Sequence, residues 1–348
     1  MIRVAIADDS SFTCKLLASY LEEEGDCDVV GMAHDAAATL ALVQTARPDV
    51  LTLDLQMPGV DGLELLQRIT SELRTSVVVI SGVTRLAAAM TLRALELGAV
   101  DFVLKFTPGA PVRRSSIKRE ILAKIKMAAT AVVAPRRERR TPAPVAKPAA
   151  VRRWRAPVSG ASPIAPVVIG ASTGGLRAIS ELLEHLPHDF KTPCVIVQHL
   201  PAAFTTPFAA QLERHSHIRV REAAAGDRLE PGLALVTPGD QHLLVRDDGG
   251  IDLLPVSDDD PYRPSIDRTM VSVAANYGAA AAGVLLTGMG GDGVEGLKRI
   301  RDAGGGTYVQ DLASCVVASM PERAIEAGVA GYVGRPERIA QLIARSRR

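Results

Sequence analysis

Over residues 2 to about 137, apolar runs of strand length and stretches of helical period alternate five times with short loops between them, and no other feature limits the fold so severely. Strands are predicted at 3–7, 29–33, 50–54, 77–81 and 100–105, with helices such as 11–24 and 86–97 between them. Such alternation predicts an α/β fold, a doubly wound five-stranded parallel sheet whose ligand crevice lies beyond the carboxyl ends of its strands. Polar residues fall at those ends: Asp8 and Asp9 after the first strand, Asp54 at the third, Ser81 at the fourth and Lys105 at the fifth. Three carboxylates aimed at one crevice repel unless a hard cation with oxygen ligands joins them, so Asp8, Asp9 and Asp54 predict a Mg²⁺ site. A solvated acidic surface is the plainer alternative, but it leaves the serine and lysine at the other strand ends unexplained.

Beyond this region the pattern breaks. Residues 134–166 hold seven prolines among Ala, Ser and Arg without sustained periodicity, which predicts a linker. Between Ala134 and Arg155 eight basic residues face one acidic residue, Glu138. A solvated tether accounts for this charge; docking to an acidic surface is the sharper alternative, since clustered Arg suits carboxylates.

From Val167 the strand and helix alternation resumes, with helices predicted at 173–186, 204–215, 266–277, 292–302 and 336–347. Strands are predicted at 194–198, 218–221, 233–237, 242–245, 283–286 and 306–309, the middle of the unit reading as β-hairpins inserted in a doubly wound, mostly parallel sheet. Its first strand, Val167-Val168-Ile169, stops at Gly170-Ala171-Ser172-Thr173-Gly174-Gly175. The Gly-x-Ser-x-Gly spacing fits a nucleophile elbow, in which glycines let strand turn sharply into helix and expose the serine hydroxyl. A dinucleotide fingerprint would want glycine in place of Ser172, and a phosphate-binding loop would want lysine in place of Leu176. Taken alone, the stretch also fits a glycine-rich turn without chemistry.

A nucleophilic serine needs a base and a group to orient it. His199 ends Val195-Ile196-Val197-Gln198, an apolar strand expected to neighbour that of Ser172, and is the preferred base; His242 is the second choice. Asp292 follows Thr287-Gly288-Met289-Gly290-Gly291 at a third strand end, where capping its own helix is the plain alternative. Three strand ends each delivering one of Ser, His and Asp favour a catalytic triad.

Composition narrows the remaining classes. Forty basic and 39 acidic residues give a net charge of +1, and aromatics are 3% of the 348 residues. Neither a basic footprint nor stacking platforms for nucleic acid are expected. Cys14, Cys27, Cys194 and Cys315 lack metal-ligand or disulfide spacing and read as buried free thiols of a reducing compartment. Two carboxylates by residue 9 do not fit a signal peptide, and no apolar run approaches the ~20 residues of a membrane span. A cytoplasmic location is expected.

The first region resembles two-component receiver domains. Asp8-Asp9-Ser10 is similar to their acidic pair, and Leu53 through Gly62 to the loop carrying the phosphoacceptor Asp54. Ser81 and Phe102 are similar to their switch residues and Lys105 to their invariant lysine. The resemblance implies phosphoryl transfer from a sensor histidine kinase to Asp54 with Mg²⁺ held by Asp8, Asp9 and Asp54. Phe106 departs from the family's proline after the lysine. With the later segments Gly170 to Gly175, Gln198-His199, Pro238 to His242, Arg263 to Asp267, Thr287 to Gly293, and Gln310-Asp311 with Ser314 to Pro321, the whole chain resembles the CheB family of chemotaxis methylesterases. That likeness implies a receiver domain over 1–133, a linker over 134–164 and a methylesterase domain over 165–348. It implies hydrolysis of glutamate methyl esters, and deamidation of glutamines, on methyl-accepting chemoreceptors. Ser172, His199 and Asp292 would be catalytic, Met289 N–H and Thr173 oxyanion donors, and no cofactor would serve the ester chemistry. An unphosphorylated receiver would cover the Ser172 site. The competing class is a phosphorylation-gated binding protein without catalysis.

Overall fold

In the computed structural model the chain forms two compact units, one within residues 1–142 and one within 143–348. The structure describes residues 1–23, 25–59, 61–73, 75–82, 84–105, 114–130 and 165–346; Phe106 and the proline-rich basic segment 134–164 lie outside the described residues.

The first unit runs β1 (Ile2–Ala7), α1 (Ser11–Glu22), β2 (Cys27–Ala33), α2 (Ala36–Ala46), β3 (Val50–Asp54), α3 (Gly62–Arg68), β4 (Ser76–Ser81), α4 (Arg85–Glu96), β5 (Asp101–Leu104) and α5 (Arg114–Thr130). All five strands pair in parallel, as predicted, and their order is β2-β1-β3-β4-β5. Residues in β3 and β4 are buried throughout, which is why these strands read as unbroken apolar runs rather than alternating ones. Helix starts are fixed locally: the side chains of Ser10, Asp35, Asp61 and Thr84 accept from N–H groups of the first turns of α1, α2, α3 and α4.

The second unit runs β6 (Val167–Ala171), α6 (Gly175–Glu184), β7 (Cys194–Gln198), α7 (Ala202–Arg214), β8 (Arg219–Glu222), β9 (Leu233–Val236), β10 (Gln241–Val245), β11 (Ile251–Pro255), α8 (Ile266–Tyr277), β12 (Ala282–Leu285), α9 (Val294–Asp302), β13 (Gly306–Gln310), α10 (Ser319–Glu326), β14 (Tyr332–Gly334) and α11 (Pro336–Ser346). Seven strands pair in parallel in the order β14-β13-β12-β6-β7-β9-β8. The hairpin predicted inside this sheet stands outside it: β10 and β11 form a separate antiparallel pair. Partial exposure along β11 suits a strand with one covered face, whereas a strand inside a parallel sheet is covered on both. The pair is tied to α8 by Thr269 Oγ1 donating to the Leu243 carbonyl (2.7 Å), Val245 N–H donating to Ser272 Oγ (3.1 Å) and the Asn276 amide donating to the Val245 carbonyl (2.7 Å). Leu243, Val245 and Ile251 of the pair join Ile266, Met270 and Val273 of α8 and Leu285 of β12 in one buried cluster. The four cysteines are free thiols; Cys14, Cys27 and Cys194 are buried as expected, but Cys315 is only half-buried.

Candidate active site

Strand order decides where chemistry can gather in the second unit. The chain proceeds from β6 outward through β7 on one side and returns to β12, β13 and β14 on the other, so its direction across the sheet reverses between β6 and β12. A crevice opens at such a reversal, beyond the carboxyl ends. Ser172, His199 and Asp292 follow the adjacent strands β6, β7 and β12.

The Ser172 turn is held by its backbone. Ser172 N–H donates to the Thr287 carbonyl (3.0 Å), and the Ser172 carbonyl accepts from Gly175 N–H (2.9 Å) and from the Gln198 side-chain amide (2.8 Å). Gly174, which precedes α6, has φ +78°, and a Cβ there would stand 2.6 Å from Val316 Cβ, so no other residue fits. Opposite the serine, a Cβ on Gly288 would lie 2.7 Å from Ser172 Cβ and 2.3 Å from Met320 Sδ; the loop after β12 approaches Ser172 closely because it has no side chain there.

His199 and Asp292 are directly joined, Nε2 to Oδ2 at 2.9 Å. Asp292 is buried, yet its carboxylate is saturated with donors: Oδ2 also accepts from Ile266 N–H (2.7 Å), and Oδ1 accepts from Asp267 N–H (3.0 Å), Gly293 N–H (3.1 Å) and Ser265 Oγ (3.3 Å). Ile266 and Asp267 open α8, so Asp292 caps a helix remote in sequence, and its own helix α9 begins at Gly293 without a side-chain cap. Burial alone would raise this carboxyl, but the His199 imidazole and the helix N–H donors outweigh it and hold it below the usual carboxylate range. With Asp292 ionised, the network assigns the proton on His199 to Nε2 and leaves Nδ1 as the basic nitrogen. Among the described residues neither Nδ1 nor Ser172 Oγ makes a hydrogen bond, so serine and imidazole are brought to one crevice without yet being joined. Apo sites commonly have such contacts open.

His242, the second choice for a base, is wholly buried and committed at both nitrogens: Nε2 to Asp260 Oδ2 (3.0 Å), while Nδ1 accepts from Ser265 N–H (3.0 Å). It holds Ser265, the N-cap of α8, and so lies behind Asp292 rather than beside Ser172.

The loop from Gly288 to Gly291 is fixed at three of its four N–H groups. Gly288 donates to the Val317 carbonyl (3.0 Å), Gly290 to Ser319 Oγ (3.1 Å) and Gly291 to the Tyr262 hydroxyl (3.0 Å). Met289 N–H alone has no partner among the described residues. Thr173 is buried, its carbonyl accepting from Thr287 Oγ1 at 3.0 Å. Thr287, Gln310 and Tyr262 carry this scaffold and were not predicted; Thr287 N–H donates to Gln310 Oε1 (2.8 Å), and the Tyr262 ring stacks on His199 with centroids 5.4 Å apart and planes inclined by 13°. The first two stood in strand-end motifs, but no local pattern marks Tyr262.

In the first unit Asp8, Asp54 and Ser81 are buried at adjacent strand ends, with Asp9 exposed beside them. Lys105 Nζ lies 2.6 Å from Asp54 Oδ2 and 3.0 Å from Asp8 Oδ2. Burial would lower this ammonium's pKa, but the two carboxylates prevail and raise it. Asp8 is itself raised, burial outweighing the Ser10 N–H and Lys105. Candidate ligand oxygens of Asp8, Asp9 and Asp54 all lie within 4.8 Å of one another. Asp8 Oδ2 is buried without a hydrogen bond, its nearest charge being Lys105, so the donor set fits a hard divalent cation. Ser81 Oγ accepts from Thr91 Oγ1 (2.7 Å), and Phe102 is buried with Lys124 Nζ 5.0 Å from its ring centre.

A strand-end acidic pocket with its lysine in one unit, and an elbow serine beside a paired His and Asp in the other, define a class: a response regulator with a hydrolase-like output unit. Comparison with known proteins narrows this. Residues 167–343 match the CheB methylesterase family and residues 4–113 the response regulator receiver domain family. The chain belongs to the CheB methylesterase family. A relative from Oleidesulfovibrio alaskensis, called protein-glutamate methylesterase/protein-glutamine glutaminase 1, is 38% identical over 365 residues, covering 99% of this chain and 98% of the relative. Another from Koribacter versatilis, numbered 2 under the same name, is 40% identical over 335 residues, covering 94% and 91%. The crystal structure of the Thermotoga maritima CheB methylesterase catalytic domain is similar at TM-score 0.50 and 36% identity, covering 52% of this chain and 97% of that one.

Proposed function

We propose that this chain is a phosphorylation-activated protein-glutamate methylesterase, and protein-glutamine glutaminase, acting on chemoreceptors in the cytoplasm. The observation that carries the reading is the Asp292 carboxylate, buried and bonded to His199 at 2.9 Å, the histidine following the strand next to that of Ser172. Capping α8 accounts for the N–H donors on this carboxylate; what favours catalysis over a non-catalytic binding role is its further bond to an imidazole whose other nitrogen is open.

Ser172 Oγ attacks the ester carbonyl while His199 Nδ1 takes its proton. The tetrahedral oxyanion receives Met289 N–H and a donor from Thr173, each such donor being worth ~10²–10³ in kcat. His199 returns the proton to the leaving methoxide, releasing methanol. Water then enters by the same base, cleaves the acyl-enzyme and leaves free glutamate. With glutamine the leaving group is ammonia.

Asp54 is the phosphoacceptor for a sensor histidine kinase. Asp8, Asp9 and Asp54 would hold Mg²⁺, which when bound offsets the charge of the phosphoryl group during transfer. Lys105 pairs with the acquired phosphate, and Ser81 and Phe102 respond to it. Receiver, linker and esterase occupy 1–133, 134–164 and 165–348, and phosphate on Asp54 relieves inhibition by the receiver. Among the described residues no helix is long and apolar enough to cross a membrane. The reading is tested by methanol release from methylated receptor membranes: Asp54→Asn should retain basal release and lose its increase with a small-molecule phosphodonor. An increase that survives in Asp54→Asn would refute phosphoryl control through this residue.

A further inference from the structure

Tyr262 lies in the segment between the separate β-pair and α8, and it touches both halves of the proposed machinery. Its ring stacks on the His199 imidazole, centroids 5.4 Å apart and planes inclined by 13°, and its hydroxyl accepts the Gly291 N–H at 3.0 Å. The same hydroxyl closes over Gly290, where a Cβ would stand 2.8 Å from it; Gly290 has φ +103°. Gly290 and Gly291 separate Met289, whose N–H is uncommitted, from Asp292, which holds His199.

We infer that Tyr262 is a positioning residue that fixes the base and the oxyanion loop relative to each other as one rigid unit. The inference rests on the triad reading above. A histidine held by one hydrogen bond can still rock about that bond, and the Asp292 contact leaves the plane of the ring undetermined. Stacking fixes that plane and with it the direction of Nδ1 toward Ser172. The hydroxyl simultaneously fixes the loop two residues beyond Met289, so the donor and the base keep their spacing while charge builds in the transition state. A ring face within 6 Å also favours the imidazolium that forms as Ser172 loses its proton. A displacement of about 1 Å in such a constellation costs ~10² in rate without weakening substrate binding.

The test uses the full chain with phosphodonor and methylated receptor membranes, comparing the intact protein with Ser172→Ala, Tyr262→Phe and Tyr262→Leu. Phenylalanine keeps the ring over His199 and releases Gly291; leucine removes both contacts. The expected result is a graded fall in kcat, ~10-fold for Phe and ~10²-fold for Leu, with KM unchanged within about twofold, since uniform binding is untouched. An unchanged kcat in Tyr262→Phe or in Tyr262→Leu, or a rise in KM without loss of kcat, would overturn the positioning role. Should Tyr262→Leu fail to fold, shown by loss of its unfolding transition, Tyr262→Phe decides by the same kcat criterion. No methanol from the intact protein beyond Ser172→Ala would instead remove the esterase reading itself, and so separates the two failures.

Discussion

The places of Ser172 and His199 were legible from their own neighbourhoods, because an apolar run that gives way to polar residues announces a strand end. Asp292 was legible only in part. Its place after a third strand pointed to the triad, but its bonds to Ile266 and Asp267 N–H belong to a helix 25 residues earlier in the chain, and no spacing rule reaches that far. Those bonds sharpen a prediction. Asp292→Asn cannot accept from Ile266, Asp267 and His199 with the same charge, and one of its amide hydrogens would meet a donor; kcat should fall on the order of 10⁴, measured as methanol release with unchanged receptor binding. A loss below tenfold would mean that His199 is oriented by something else. Gly288→Ala tests the close approach to the serine. Its Cβ would collide with Ser172 Cβ and Met320 Sδ, so the variant should lose about 1–3 kcal/mol of stability in thermal unfolding and most of its esterase rate. Wild-type rate and melting temperature would show that the loop yields freely.

Helix α8 does more than its amphipathic pattern suggested. Its N-terminus stabilises Asp292 from in front, while His242 secures its cap at Ser265 from behind. Within its first turn Asp267 is pushed up to about 6 by burial and by the neighbouring Asp292 charge. A carboxyl raised in the folded state favours folding most where it is protonated in both states, below its ordinary value near 3.8, and that contribution is lost as pH rises through about 6. Asp267→Asn keeps an acceptor for Gly296 N–H and removes the titration. Between pH 4 and pH 7 wild-type stability should therefore fall relative to Asp267→Asn, on the order of 1–3 kcal/mol, by chemical denaturation at each pH. A constant difference would contradict the raised pKa. The five strands of the first sheet, six of the seven in the second, and the helices placed from the sequence were foreseen to within a few residues. The exceptions have physical causes: β11 is too exposed to read as a buried strand, β14 is a three-residue edge strand too short to show a pattern, and α10 carries Pro321 in its first turn, which a helix tolerates there although it looks like a breaker in sequence.

Across the molecule, two strand-end sites share one chain: an acidic pocket with its lysine at the sheet of the first unit and a crevice holding Ser172, His199 and Asp292 at the sheet of the second. Both were visible in sequence for the same reason, that parallel α/β sheets collect their polar residues beyond carboxyl ends. Of the bridging residues, Thr287 and Gln310 stood in strand-end motifs without an assigned role and Tyr262 in none, because all three act through contacts made only after folding. Lys105→Ala should permit occupancy of Asp54 by phosphate, detected by mass, yet blunt the phosphodonor response of the esterase; an undiminished response would show that the lysine's two ion pairs serve stability alone. The central claim is that one chain couples these chemistries, and methanol release from methylated chemoreceptor membranes tests it most directly, with and without phosphodonor, for the intact protein beside Ser172→Ala. Release that rises with phosphodonor and disappears in the alanine variant is the predicted result. No release despite phosphate on Asp54, or release that persists without the serine hydroxyl, would contradict it.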